Sequence, residues 1–242
     1  MTKDQSYRVK DHFAGSARDL TPDSSRHAVR VLFVPTSKDP DVSSLCASVL
    51  SETERLRADR FAADHHRARF EQRRAFRRFC GAVALDSSQP LSAIRFETTE
   101  NGRPYIAKAP DLWFSFSSCR LGMLGAWSST YGIGVDIEDQ TRAAEAPKLA
   151  RRFFTAAEAD AIRGLVGVER SETFFRFWTL KEAALKSIGE GLPFGLDAFE
   201  FELKPVPRVV QAPAECGGPA RFDASLIEGT DGCVALVIRE ME

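Results

Sequence analysis

Two short stretches of this chain hold residues whose types and spacing suit phosphoryl chemistry. In "YGIGVDIEDQ" (131–140) Asp136 and Glu138 stand two apart in a β-branched run. Side chains alternate across a strand, so the two carboxylates share a face. Like charges that close repel unless the face is wet or a cation lies between them. The pair therefore reads either as a solvated strand edge or as part of a hard-cation site. Magnesium prefers oxygen ligands, often takes one or two carboxylates, and completes its shell with water and phosphate. In "FWTLKEAALK" (177–186) Trp178, Glu182 and Lys186 recur at i, i+4 and i+8 and so share one helical stripe. The plain reading is a surface Glu182–Lys186 pair beside a half-buried tryptophan, worth a few tenths of a kcal/mol. The other is an acid that holds metal or accepts a proton, next to an ammonium that neutralises charge on a phosphate. Lys181 points about 100° away from Glu182 on the same helix, toward either phosphate or solvent.

The elements that must position these groups follow from the hydrophobic pattern. "AVRVLFVP" (28–35) alternates like a strand and ends at proline. Ser51 and Glu54 have capping-box spacing and start a helix; a second helix runs from about Asp64 to Leu85. "NGRPYI" (101–106) is a turn into a short extended piece, and 112–118 and 121–129 read as two strands around a tight connection. After the strand that carries Asp136, Thr155 and Glu158 form another capping box. "ETFFRFWTLKEAALKSIG" is a helix of about five turns closed by Gly189. "AFEFELKP" and "GCVALVIRE" alternate like strands. Both halves run through strand, helices and strands again, so the pattern predicts two similar α+β lobes, over 28–129 and 130–242. Residues 1–27 are left as a polar terminus, disordered at least in part.

Bulk composition narrows the function classes. The chain has 242 residues, 43% hydrophobic and 28% charged, with net charge −1, which suits one large domain or two small ones. Near-neutral charge gives no case for nucleic acid or an anionic membrane. The arginine-rich run from Arg55 to Arg78 lacks interleaved stacking aromatics and reads mostly as a solvated helix face. No stretch approaches the roughly 18 apolar residues of a membrane span. The polar N-terminus has no signal-peptide core, and the five cysteines are scattered, odd in number and without a CxxC pair. Both observations lead to the expectation of reduced thiols and a cytoplasmic protein. His12, His27, His65 and His66 form no zinc pattern. Cys119 has no histidine nearby in sequence and reads as a packing residue.

Taken together, Gly134-Val135-Asp136-Ile137-Glu138 followed by Trp178, Lys181, Glu182, Ala183 and Lys186 closely resembles the signature of the 4'-phosphopantetheinyl transferases of the two-lobed, Sfp-type class. In that signature G-[I/V]-D-[I/V]-E precedes W-x-x-K-E-[A/S]-x-x-K. "ARRFFTAAE" (150–158), "NGRPYI" and the basic helical region "LSETERLRADRFAADHHRARF" (50–70) resemble further family segments, and the resemblance spans roughly residues 45–240. It implies a mixed α+β fold made of a pseudo-twofold pair of similar lobes, with coenzyme A in the cleft between them. The implied reaction moves the 4'-phosphopantetheine arm of coenzyme A to a serine of an acyl or peptidyl carrier protein and releases adenosine 3',5'-bisphosphate. The implied enzyme is a monomer that binds neither nucleic acid nor membrane.

The same resemblance implies roles residue by residue. Asp136, Glu138 and Glu182 would hold Mg²⁺, with Mn²⁺ as an alternative ion, against the coenzyme A pyrophosphate. Glu182 would also take the proton from the carrier serine, and Lys186 would stabilise the phosphate that accumulates charge. Arg57, Arg69 and Arg103 match basic positions that reach the nucleotide, and Lys181 is placed among the phosphate contacts. One segment departs from the pattern. The family's F-N-[I/L]-S-H-S reads here Phe114-Ser115-Phe116-Ser117-Ser118-Cys119, so Ser117 remains as a hydroxyl donor while Ser118 replaces the histidine. That replacement weakens binding of the 3'-phosphate or shifts it to an arginine. Two alternatives stand beside the transferase: a catalytically weak binder of coenzyme A or carrier, and another Mg²⁺-dependent nucleotide enzyme, for which no P-loop or Rossmann glycine pattern speaks.

Overall fold

In the computed structural model, which describes residues 3–23, 29–140 and 145–241, a four-stranded sheet faces an arginine-rich helix, and a three-stranded sheet faces the helix of the Trp178–Lys186 stripe. The first half contains α1 (Lys3–Ser16), β1 (Arg18–Asp19), β2 (Val29–Pro35), α2 (Pro40–Ala47), α3 (Glu52–Ala58), α4 (Asp64–Ala84), β3 (Glu97–Thr98), β4 (Pro104–Tyr105), β5 (Trp113–Ser118) and β6 (Gly122–Ser128). The second contains β7 (Tyr131–Glu138), α5 (Ala146–Phe153), α6 (Ala156–Arg163), α7 (Gly167–Ser187), β8 (Glu200–Glu202), β9 (Arg208–Gln211), β10 (Phe222–Ile227) and β11 (Cys233–Glu240). The sheets have strand orders β1-β2-β6-β5 and β10-β11-β7, with every pair antiparallel; β3–β4 and β8–β9 are separate small pairs.

Local chemistry sets the element ends. At α3 the Ser51 hydroxyl accepts from the Glu54 backbone N–H, and the Glu54 carboxylate accepts from the Ser51 N–H. Thr155 and Glu158 make the same reciprocal cap at α6. Past the end of α7, Gly189 takes φ +81°, a left-handed turn that a glycine enters without penalty. The strand expected over 28–35 is β2 from Val29 onward; Ala28, like His27, lies outside the described residues.

One expectation needs correcting at the N-terminus. Lys3–Ser16 form a helix, and Val9 and Phe13 are fully buried in the core of the first half. Phe13 packs on Phe76 and Phe79 of α4, and the Ser6 hydroxyl accepts from the buried Leu91 N–H at 2.6 Å. The i, i+4 spacing of Val9 and Phe13 anchors an otherwise polar helix. This end of the chain braces the back of α4.

Three cores result. One lies under α1, α2 and α4, another around α5, α6 and α7, and the third between the two sheets. Into this third core β2 sends Val29, Val31 and Phe33; β7 sends Ile133, Val135 and Ile137; β11 sends Val234, Leu236 and Ile238. With period 2, the alternate residues of β7 (Gly132, Gly134, Asp136 and Glu138) face the other way, toward α7. The strand carrying the two acids is thus clamped on its apolar side and reads its polar side to a helix.

Candidate active site

Gly134 sets the distance between the two elements that carry the acids. A Cβ built on it would lie 1.7 Å from the Ala183 carbonyl oxygen and 2.7 Å from the Ser187 nitrogen. Only a hydrogen lets the backbones of β7 and α7 approach this closely. The approach puts Lys186, on the last turn of α7, directly over Asp136. Lys186 Nζ donates to Asp136 Oδ1 at 2.6 Å and to the Val135 carbonyl at 3.2 Å, and stands 3.5 Å from Glu182 Oε2. Across the junction with the first half, the Ser117 hydroxyl donates to the same Asp136 Oδ1 at 2.6 Å. Ser115 Oγ accepts from the Val135 N–H at 3.0 Å, and Trp113 Nε1 donates to the Ile133 carbonyl at 2.9 Å. Side chains of β5 thereby tie it to β7.

The charges at this point do not balance. Asp136 is 2% exposed, and its Oδ2 is buried without a hydrogen-bond partner among the described residues. Burial pushes Glu138 up to about 7, with the Asp136 and Glu182 carboxylates adding to the shift against a smaller pull from Lys186. Burial also raises Glu182, with Asp136 adding to it, while Lys186 and a hydrogen bond from Trp178 oppose the shift. Burial would depress Lys186, but Asp136 and Glu182 together carry it above the usual lysine range. Glu138 and Glu182, both raised by burial and by the Asp136 carboxylate beside them, share a single ammonium, a hard-oxygen donor set short of positive charge. Asp136 Oδ2, Glu138 and Glu182 suit a divalent ion on these grounds. Among the described residues no group of three acid, histidine or cysteine side chains is gathered closely enough to hold a metal ion, so an ion there would need water and phosphate as further ligands. An open shell suits an ion that keeps water and phosphate as ligands.

The rest of the cleft is cationic. A cavity of about 320 Å³ lies between α4 and β5, lined by Arg57, Arg73, Arg77, Phe116, Ser117 and Ser118 among others. It shares Arg73 and Ser118 with a second cavity of about 190 Å³ that takes in Arg69 and Cys119. It shares Arg77 and Phe116 with a third of about 220 Å³ that takes in Arg103, Gly189 and Lys186. These form one furrow from the α4 arginines to the Lys186 end. At its far rim Arg103 stacks over Trp113 at 4.1 Å, and Asn101 Nδ2 donates to Glu190 Oε1 at 2.7 Å, joining the turn before β4 to the loop after α7.

The structure brings Asp136, Glu138, Glu182 and Lys186 together, and places Arg57, Arg69, Arg103, Ser117 and Ser118 along the same furrow. Ser117 differs from expectation in that its hydroxyl is engaged by Asp136. Lys181 is corrected outright. It is fully buried, pairs with Glu158 Oε2 at 2.6 Å, and donates to the Leu196 carbonyl at 3.0 Å and to that of Phe199. It holds α7 to α6 and to the chain before β8, on the side away from the furrow. Sequence reasoning passed over Arg73, Arg74 and Arg77. The signal available for two of them was the i, i+4, i+8 spacing of Arg69, Arg73 and Arg77.

Residues 132–234, which hold both acidic motifs, match the model of the 4'-phosphopantetheinyl transferase superfamily. The 4'-phosphopantetheinyl transferase HetI of Nostoc is 31% identical over 196 residues, covering 79% of this chain and 78% of that protein. The 4'-phosphopantetheinyl transferase Sfp of Bacillus subtilis is 35% identical over 112 residues, 46% of this chain and 49% of Sfp. A holo-(acyl-carrier-protein) synthase of Bacillus anthracis, solved in complex with CoA, superposes on 47% of this chain and 99% of its own with TM-score 0.39 and 22% identity. With identity to HetI running through both halves, the chain belongs to the 4'-phosphopantetheinyl transferase superfamily.

Proposed function

We propose that the protein transfers the 4'-phosphopantetheine arm of coenzyme A to a serine hydroxyl of an apo acyl or peptidyl carrier protein. The observation that carries this reading is the meeting of Asp136, Glu138, Glu182 and Lys186 at one end of an arginine-lined furrow. A co-substrate with a pyrophosphate and a further phosphate matches a furrow that is cationic along its length. Asp136, Glu138 and Glu182 would hold Mg²⁺, or Mn²⁺ in its place. The ion would neutralise charge on the pyrophosphate.

The remaining chemistry falls to the chain's own side chains. Lys186, held over Asp136, presents an ammonium to the phosphate oxygens as the leaving group departs. Arg103 and Arg77 extend that positive surface toward the nucleotide. Glu182, raised by burial and by Asp136, is a stronger base than an ordinary carboxylate and takes the serine proton directly or through water. The serine oxygen forms a bond to the phosphorus bearing the pantetheine arm. The bridging P–O bond breaks, and its electron pair leaves with adenosine 3',5'-bisphosphate. Lys181 supports α7 from the core and takes no part in the transfer.

No helix among the described residues is long and apolar enough to cross a membrane. The five unpaired cysteines support a reducing, cytoplasmic setting for a monomeric enzyme that meets its carrier in solution. The test is to incubate the protein with coenzyme A, Mg²⁺ and an apo-carrier and to weigh the carrier. A gain of one phosphopantetheine, lost with EDTA or in Glu182→Gln, supports the reading. Tight binding of coenzyme A with no mass change across fatty-acid, polyketide and nonribosomal-peptide carriers overturns it.

A further inference from the structure

Two kinds of partner hold guanidinium groups in this fold, and they leave the cation in different states. Arg74 and Arg78 turn to the Glu54 carboxylate, at 3.6 and 2.6 Å, and are neutralised by it. Arg103, at the far rim of the furrow, forms no ion pair among the described residues. Its guanidinium lies on the Trp113 ring instead, 4.1 Å from the ring centre. An aromatic face attracts a guanidinium through its quadrupole and restricts its orientation, but it carries no net charge to cancel the cation. A carboxylate would both fix Arg103 and silence it; the indole only fixes it.

The ring is itself anchored to the strand that carries the acids. Trp113 opens β5, and its Nε1 donates to the Ile133 carbonyl of β7 at 2.9 Å, three residues before Asp136. A Cβ built on Gly189, just past α7, would lie 3.4 Å from Arg103 Cδ and 3.6 Å from Trp113 Cη2, so the end of α7 borders both side chains. Arg103 and Lys186 line one cavity of about 220 Å³, and Trp113 is not among its lining residues. The indole thus sets where Arg103 stands relative to Lys186 without reaching the cavity itself. A second guanidinium, that of Arg239, stands 5.8 Å from the centre of the same ring and is likewise absent from the cavity wall.

We infer that Trp113 is a positioning residue, which acts on the ligand in the furrow only through Arg103, by holding that guanidinium at the rim with its charge uncancelled. The identity of the ligand rests on the transferase reading above. The test is a double-mutant cycle on the full chain, with the affinity for adenosine 3',5'-bisphosphate measured by calorimetry without carrier. Arg103→Met and Trp113→Leu are each expected to weaken binding about tenfold. The double variant should also lose about tenfold and not about a hundredfold, because the ring has no route to the ligand once the guanidinium is gone. Trp113→Phe keeps a ring face and loses the Nε1 donor, so it should bind within about threefold of the wild type. Thermal unfolding should fall in both Trp113 variants, since both lose the bond to Ile133, and a merely structural role would then weaken binding in both alike. Arg239→Met should bind as the wild type does. Losses that multiply in the double variant overturn the inference. So does equal weakening in Trp113→Leu and Trp113→Phe, or a loss in Arg239→Met that matches Trp113→Leu. The carrier mass assay with wild-type protein judges the transferase reading separately. If carrier is modified and the losses multiply, only the role of Trp113 fails. If no carrier is modified but the cycle is non-additive as expected, the positioning stands and the reaction does not.

Discussion

Gly134→Ala adds one methyl group at the point where β7 and α7 touch, and the outcome can be worked out from the geometry. The new Cβ would sit 1.7 Å from the Ala183 carbonyl oxygen, about half an ordinary contact distance. The atoms it meets are backbone, which no rotamer change can clear. The last turns of α7 must retreat by roughly 1.5 Å or β7 must bend into the core between the sheets. Either movement carries Lys186 Nζ beyond hydrogen-bond range of Asp136 Oδ1, now 2.6 Å away. Overpacking of this kind costs about 1–3 kcal/mol, which for a chain of this size lowers the melting temperature by about 2–12 °C. Activity should suffer more, because a displacement of about 1 Å at a reacting centre costs on the order of a hundredfold in rate. Carrier modification under saturating coenzyme A, followed by mass, gives kcat, and scanning calorimetry gives Tm. Gly164→Ala, where the added Cβ meets nothing within 4 Å, is the control. Near-wild-type kcat in a folded Gly134→Ala would refute the claim that close approach of these backbones positions Lys186.

Two further substitutions address charge. Glu138 is raised by burial and its neighbouring carboxylates to about 7. The folded protein therefore holds a proton that the unfolded chain releases, and stability of the protein in EDTA should fall as pH rises from about 4.5 to about 7. The loss is at most about 3 kcal/mol, less to the extent that Glu138 is solvated; Glu138→Gln should flatten that slope, and parallel slopes in the two proteins would argue against it. Lys181→Met leaves the Glu158 carboxylate, 1% exposed, without its ammonium and should cost about 3–5 kcal/mol in denaturant unfolding. A rise in KM for coenzyme A at unchanged stability would instead return Lys181 to the nucleotide.

Much of the site could be read from the chain because its signals are local. Alternation along β7 put Asp136 and Glu138 on one face, and helical spacing put Glu182 and Lys186 on one stripe; both capping boxes form as their spacing indicates. What escaped the sequence depends on partners far away in it. The helical wheel shows Lys181 leaving the Glu182 stripe, but only the packing of α6 shows that it runs into Glu158. Arginines 73, 74, 77 and 78 look alike in sequence. Glu54, from another helix, decides which two are neutralised and which two stay available. The N-terminal helix reads as polar because two buried side chains, Val9 and Phe13, are too few to outweigh its charged neighbours in any composition average.

The apolar layer between the sheets has a consequence for how substrates enter. Strands from both halves contribute to it, and Trp113 and Ser115 cross-link β5 to β7 at 2.9 and 3.0 Å. A hinge at that junction would tear open a dry, interlocked seam, so the furrow behaves as a slot of fixed gauge and not as a jaw. Adaptation to a ligand falls to the parts that border the slot, chiefly the arginine side chains and the Asn101–Glu190 link at its rim. Solution scattering should then give the same radius of gyration with and without adenosine 3',5'-bisphosphate. A contraction on binding would show that the seam yields. On the reading proposed above, a slot of fixed gauge would select a carrier by whether its serine loop can be threaded to Glu182.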